Sequence, residues 1–208
     1  MEFVSYRLFS ISTTLAVGNL FESEYWKIDK HRLTEEPEEF IVVWKLGQML
    51  ANQPYIEQIK DVENLIAMEH DNITKFIGFG MSNPQYYVFE YFPGEDLNTY
   101  IRTGRRMTAT QYRLFCAKLC SALMYLATIK CLLENLTPNR ILVNDENVKL
   151  CGVKYGKGDE SVVIQQFADI CLGIPLSEEE PYVKNVLHKC LNPEYGYTFD
   201  HASEELNQ

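Results

Sequence analysis

Residues 132–153, Leu-Leu-Glu-Asn-Leu-Thr-Pro-Asn-Arg-Ile-Leu-Val-Asn-Asp-Glu-Asn-Val-Lys-Leu-Cys-Gly-Val, hold the densest group of side chains that could do chemistry. A polar turn leads into a short apolar run, Ile141-Leu-Val143. A second turn, Asn144-Asp-Glu-Asn147, leads into another. That is the rhythm of a loop that presents polar groups between two short strands. The side chains offered suit proton or metal chemistry poorly. An amide such as that of Asn135 accepts a hydrogen bond but takes up no proton near neutral pH. A guanidinium such as that of Arg140 has no lone pair for a cation. Gly152 brings no side chain. The two acids, Asp145 and Glu146, stand in the intervening turn and read as turn residues.

Other reactive side chains gather less well. The six cysteines (Cys116, Cys120, Cys131, Cys151, Cys171, Cys190) form no Cys-x-x-Cys pair. His31, His70, His188 and His201 make no metal spacing with them. Cys116 and Cys120 sit four apart in an apolar helical pattern, as reduced core cysteines of a cytoplasmic protein would. No metal is expected.

The chain of 208 residues is 46% hydrophobic and 23% charged, enough to bury a core. Its formal charge is −10. A grip on DNA or RNA needs clustered Lys and Arg, so no nucleic-acid partner is expected. Arg102, Arg105 and Arg106 read as a solvated face. No stretch approaches about 18 uninterrupted apolar residues, so no membrane insertion is expected. Leu8–Leu20 makes a poor signal peptide. The short flanks fit a free-standing cytoplasmic chain.

The elements that must position the loop follow from periodicity. Leu15–Ile28 alternates loosely around Gly18. Glu39–Leu46, rich in β-branched and aromatic residues, reads as a strand. Asp29–Glu38, charged and holding Pro37, reads as a turn or loop. Ile56, Ile59, Val62 and Ile66 form a helical stripe behind Pro54. Ile73–Gly80 and Tyr86–Phe92 read as a hairpin pair around Ser82-Asn-Pro84. After Pro93-Gly94 the pattern becomes helical. Asp96 caps a helix to Arg102 that stops at Gly104. Thr108 and Gln111 make a capping box ahead of the stripe Tyr112, Phe115, Cys116, Leu119, Leu123, Leu126. Two more helices fall near Val162–Ile174 and Pro181–Leu191. The reading is an α+β chain: a β-rich first lobe with one helix (1–92), a hinge near 91–96, and a shortened helical second lobe (93–208).

Several phrases in this order resemble a protein kinase domain of the tyrosine-kinase type. Met68-Glu-His-Asp-Asn-Ile73 is similar to the phrase after that family's αC helix. Tyr87-Val-Phe-Glu-Tyr-Phe-Pro-Gly-Glu-Asp-Leu97 looks like its hinge, and Tyr125-Leu-Ala-Thr-Ile-Lys-Cys-Leu132 like the end of its αE helix. Residues 132–153 fall on its catalytic and metal-binding loops. Cys190-Leu-Asn-Pro193 with Thr198-Phe199 resembles its last-helix phrase. The likeness covers roughly residues 15–203 and implies a two-lobed kinase-like fold with an αC-like helix.

What the family implies about chemistry is altered here. It places an aspartate as base, with an asparagine and a second aspartate on magnesium. Asn135, Arg140 and Gly152 stand at those positions. At ~5 Å and an effective dielectric of ~20, Arg140 would repel a divalent ion by about 7 kcal/mol. Asn139 would return one ligand if the alignment slipped by one residue. The glycine-rich loop keeps only Gly18, and Glu22 adds a like charge to any phosphate. Val42-Val-Trp-Lys45 resembles the strand of the phosphate-binding lysine, with Asp61 in place of its helical glutamate partner. Lys45 equally fits a solvated lysine at a strand end, and Asp61 a surface carboxylate. Phe89 matches the residue walling the rear of the nucleotide pocket. Only Lys154–Ser161 stands where the family has a long activation segment, and Gly196 replaces the arginine that anchors it. Gln165 replaces the aspartate that braces the catalytic loop, a brace left without purpose by Glu134.

The sequence therefore implies a compact pseudokinase, not an enzyme, which docks on a protein such as an active kinase or a receptor's cytoplasmic domain. The tail Asn192–Phe199, with Tyr195 and Tyr197, and the face left by the short activation segment are its candidate surfaces. Two alternatives stand beside it. One is a nucleotide sensor that binds ATP without magnesium through Lys45, Asp61, Phe89 and Arg140. The other is a residual nucleotidyl or phosphoryl transferase. A Lys45→Met change separates docking, which should be indifferent, from nucleotide sensing, which should weaken.

Overall fold

The structure is a computed structural model that describes residues 14–22, 26–33, 40–46, 62–80, 86–153 and 158–207. The chain divides into two compact units, Met1–Glu69 with Thr74–Tyr91, and His70–Ile73 with Phe92–Gln208. A sheet dominates the first and helices the second, so the α+β class expected from the sequence is the class observed.

The first unit carries β1 (Thr14–Glu22), β2 (Trp26–Leu33), β3 (Phe40–Leu46), β4 (Phe76–Gly80) and β5 (Tyr86–Glu90). They form one antiparallel sheet in the order β1-β2-β3-β5-β4. Successive side chains of a strand point to opposite faces, so Ile41 and Val43 of β3 share a face and are buried. They pack with Tyr86 and Val88 of β5 and with Ile77. Val43 and Val88 lie directly opposite each other in register. Helix α1 covers 62–67 among the described residues, with Val62 and Leu65 buried three apart. Ile56, Ile59 and the rest of the stripe from Tyr55 to Asp61 lie outside the described residues.

The expected loop at Asp29–Glu38 is corrected over 29–33, which is strand. Asp29 pairs with Asn19 of β1 on one side and with Val43 of β3 on the other. Pairing on both edges satisfies the backbone of β2, and that tertiary context outweighs its polar composition.

In the second unit, β6 (Glu95–Asp96), β7 (Ile141–Val143) and β8 (Val148–Leu150) form a small antiparallel sheet. Around it are α2 (Leu97–Arg102), α3 (Ala109–Thr128), α4 (Glu160–Leu172), α5 (Pro181–Leu191) and α6 (Phe199–Leu206). Asp96 Oδ1 caps α2 by accepting from the Thr99 N–H at 3.0 Å. The Thr108–Gln111 capping box opens α3. Tyr112, Leu119, Leu123 and Leu126 of α3 are fully buried, as are Phe167 of α4 and Phe199 of α6. The last two meet edge to face at 6.1 Å. Burial of each such side chain contributes about 1.5–3 kcal/mol. The cysteines belong to the same core: all six are free thiols, and five are buried. Burial pushes the Cys190 thiol up to about 12.

Helix α6 adds to the elements read from the sequence. Its start is a capping box of unusual composition, in which His201 Nδ1 accepts from the Thr198 N–H at 3.3 Å. Among the described residues no helix is long and apolar enough to cross a membrane.

Candidate functional site

The loop 132–153 is held at both ends and across its middle. Leu132, Leu133 and Leu136 are buried. Pro138–Arg140 makes one turn of 3-10 helix, closed by the Arg140 N–H on the Thr137 carbonyl. β7 and β8 pair Ile141 with Leu150 and Val143 with Val148. Their turn is built by Asn144, whose Oδ1 accepts from the Glu146 and Asn147 N–H groups at 3.0 and 2.8 Å. Asp145 and Glu146 are exposed on that turn, as their turn reading requires.

One residue from far upstream, Asn72, holds the outer edge of this hairpin by two hydrogen bonds. The Leu150 N–H donates to the Asn72 carbonyl at 2.8 Å. Asn72 Nδ2 donates to the Val148 carbonyl at 2.9 Å. His70 sets the turn before it. Its Nδ1 accepts from the Asn72 N–H at 3.1 Å, its Nε2 lies 3.2 Å from Ser121 Oγ, and its ring lies 5.2 Å from that of Tyr125. Burial lowers the His70 pKa, with Asp71 opposing the shift. Sequence reasoning found the phrase but not this task; an asparagine between a helix end and a strand was the available signal.

The expected site residues fall as follows. Asn135 is exposed, and its Oδ1 accepts from Gln166 Nε2 at a long 3.4 Å. Gln166 Oε1 also accepts from the Leu136 N–H at 2.8 Å. This corrects the expectation at Gln165: α4 does brace the loop, one residue later and with an amide. The amide can both donate and accept, which suits a loop offering one donor and one acceptor.

Arg140 and Gly152 are brought together. Arg140 Nη1 donates to the Gly152 carbonyl at 3.2 Å, and the Cys151 N–H donates to the Arg140 carbonyl at 2.8 Å. Gly152 is buried and takes a left-handed backbone, φ 67°. A β-carbon would be strained there. Burial pushes the neighbouring Cys151 thiol up to about 12, with the Arg140 charge opposing. Asn139, exposed on the 3-10 turn, directs its carbonyl toward Cys151 Sγ at 3.9 Å. Among the described residues no group of three His, Cys, Asp or Glu side chains converges as a metal site.

The return of the chain is tight. The Gly158 N–H donates to the Leu132 carbonyl at 3.1 Å, and the space where a β-carbon would stand is filled by the Leu133 carbonyl. Only glycine fits so close a backbone approach. Residues 154–157 of the short segment lie outside the described residues.

The remaining expected residues belong to the first unit. Phe89 on β5 is 5% exposed, and its ring stands edge-on to Phe76 at 5.5 Å. Lys45 sits on β3 in register with Lys27 and Tyr86. Its side chain, like Asp61, lies outside the described residues.

A five-stranded antiparallel sheet with a helix, then a helical unit with a polar loop between two short strands, is the plan of a protein kinase domain. The comparisons agree. The model of the protein tyrosine and serine/threonine kinase family matches residues 16–156, more than half of the chain, and the chain belongs to that family. Over 126 residues it is 26% identical to the tyrosine-protein kinase transforming protein ros of UR2 avian sarcoma virus, covering 56% of this chain and 31% of that protein. The proto-oncogene tyrosine-protein kinase ROS of Gallus gallus matches over the same length at 26%, covering 6% of that protein. The mitogen-activated protein kinase spm1 of Schizosaccharomyces pombe is 26% identical over 106 residues, 48% of this chain and 25% of that protein. The chain thus spans less than a third of these relatives' own lengths. The family model and the two ROS proteins thus support a kinase-like domain of tyrosine-kinase type.

Proposed function

We propose that this kinase-like chain is a binding module without phosphoryl transfer, which docks on a cytoplasmic protein partner such as an active kinase or a receptor's cytoplasmic domain. The observation that carries this reading is the hydrogen bond from Arg140 to Gly152. These are the two positions where the family holds magnesium. Here a fixed cation fills one and donates to the backbone of the other, so the pair does not fit a divalent ion. Asn135 supports the same reading, because its oxygen is directed to Gln166 and has no proton affinity to offer a substrate hydroxyl. A module of this kind acts by binding two states of its partner unequally, with no chemical step.

A second reading is favoured by one detail. Among the described residues Arg140 bonds a carbonyl and forms no ion pair. A phosphate could use the guanidinium charge, which supports metal-independent ATP binding.

The test is ADP production from ATP and magnesium by the purified chain, beside Lys45→Met. Turnover equal to a heat-denatured control supports the docking module. Turnover that Lys45→Met abolishes contradicts it.

A further inference from the structure

Asn192-Pro-Glu-Tyr195 leads out of α5 into one turn of 3-10 helix. Pro193 presets the first turn dihedral. Asn192 Oδ1 accepts from the Glu194 N–H at 3.0 Å, and the Tyr195 N–H donates to the Asn192 carbonyl at 3.2 Å. The Gly196 N–H then closes on the Pro193 carbonyl, with Gly196 in the left-handed region at φ 56°. An asparagine, a proline and a left-handed glycine thus fix the mount of Tyr195 on both sides.

Tyr195 is 65% exposed, more than any other large apolar side chain among the described residues. Its neighbours differ. Tyr197 donates to the Glu205 carboxylate, and burial together with that contact holds its phenol well above the usual range. Tyr182 donates to the Glu205 carbonyl at 2.8 Å. Among the described residues nothing bonds the Tyr195 hydroxyl. Isolated exposed aromatics are common, but this one stands on a rigid turn with its hydroxyl uncommitted.

We propose that Asn192–Tyr195 is a phosphotyrosine display turn: Tyr195 is the acceptor for a tyrosine kinase, and the phosphorylated turn is read by a protein domain with an arginine-lined phosphotyrosine pocket. In the modification, the Tyr195 oxygen forms a bond to the γ-phosphorus of ATP. The bond from that phosphorus to the bridging oxygen breaks, ADP leaves, and the phenolic proton passes to the carboxylate base of the modifying kinase. The product carries a charge of about −1.5 to −2. Lys189 is already engaged by both Glu205 oxygens, at 2.9 and 2.6 Å. Glu194, beside Tyr195, adds repulsion. The phosphate oxygens therefore remain turned outward for arginines supplied by a partner. This holds whether or not the chain itself transfers phosphate.

The test uses the full chain with a recombinant tyrosine kinase domain, ATP and magnesium, and maps phosphate by peptide mass. Phosphate is expected on Tyr195, lost in Tyr195→Phe and retained in Tyr197→Phe. Tyr195→Phe removes only a solvent-facing hydroxyl, so an unchanged melting temperature confirms that the loss is local. The phosphorylated chain is then titrated with a recombinant phosphotyrosine-binding domain of the kind that reads Asn-Pro-x-Tyr turns. Asn192→Ala should keep the phosphate and weaken this binding at least tenfold. Phosphate found elsewhere with Tyr195 unmodified overturns the proposal. So does equal affinity of the Asn192→Ala chain.

Discussion

The Arg140 guanidinium donates to the Gly152 carbonyl at 3.2 Å, and the Arg140 carbonyl in turn accepts from the N–H of Cys151, next to Gly152, at 2.8 Å. The side-chain bond is charge-assisted and half-buried. Arg140→Ala should therefore cost about 1 kcal/mol, a fall in Tm of roughly 2–4 °C for a chain of this size. An unchanged melting curve would mean that the guanidinium contributes nothing to the loop.

Gln166, not Gln165, braces the loop. Gln166→Ala leaves the Leu136 N–H without its side-chain acceptor and should cost about 1–3 kcal/mol. Gln165→Ala should stay within about 0.5 kcal/mol. Urea denaturation of the two variants side by side checks the assignment, and the reverse order would refute it.

These two residues show where the sequence was legible. Strong local signals carried through: the Asp96 cap, the Thr108–Gln111 box and Pro181 at the start of α5 each sit where their chemistry placed them. The apolar runs of 132–153 became β7 and β8 for the same reason. What failed depended on distant partners. The polar β2 is a strand because β1 and β3 flank it. Choosing between adjacent glutamines requires knowing which face of α4 meets the loop. The start of α6 was hidden because its capping box uses His201 where the usual pattern has Glu or Gln.

Gly158 lies against the Leu133 carbonyl with no room for a side chain. Gly158→Ala forces the backbone apart and should cost about 1–3 kcal/mol. Gly104 has a left-handed φ of 76° but open space around it, so its alanine variant is strained without a clash. Comparing the two by denaturation separates crowding from dihedral strain; equal losses would argue against crowding at Gly158.

His70 carries a pH dependence. Burial depresses its folded pKa below the ordinary 6.5. The unfolded chain therefore binds the proton first, and stability falls as pH drops through about 6.5 toward the folded value. The Asn72 N–H donating to Nδ1 acts in the same direction, because protonation there breaks the bond. His70→Gln should flatten this part of the stability profile between pH 7 and 5. An unaltered slope would assign it to other groups.

Glu180, nearly buried at the start of α5, pairs with Arg113 of α3 at 2.6 Å. Arg113→Ala strands that carboxylate. The loss should be about 2 kcal/mol, less than the 3–5 of a fully buried pair because Arg113 is half exposed. Guanidinium denaturation measures it; a loss under about 0.5 kcal/mol would mean that water compensates Glu180 fully.

The most direct test of the central claim is the melting temperature against ATP, once with magnesium and once with a chelator. A ligand at about 100 times its Kd stabilises by roughly 2.7 kcal/mol, several degrees here. With Arg140 bonded across the positions that would hold magnesium, no magnesium-dependent shift is predicted. A shift that survives the chelator would favour the nucleotide sensor. A shift that appears only with magnesium would contradict the account and reopen phosphoryl transfer.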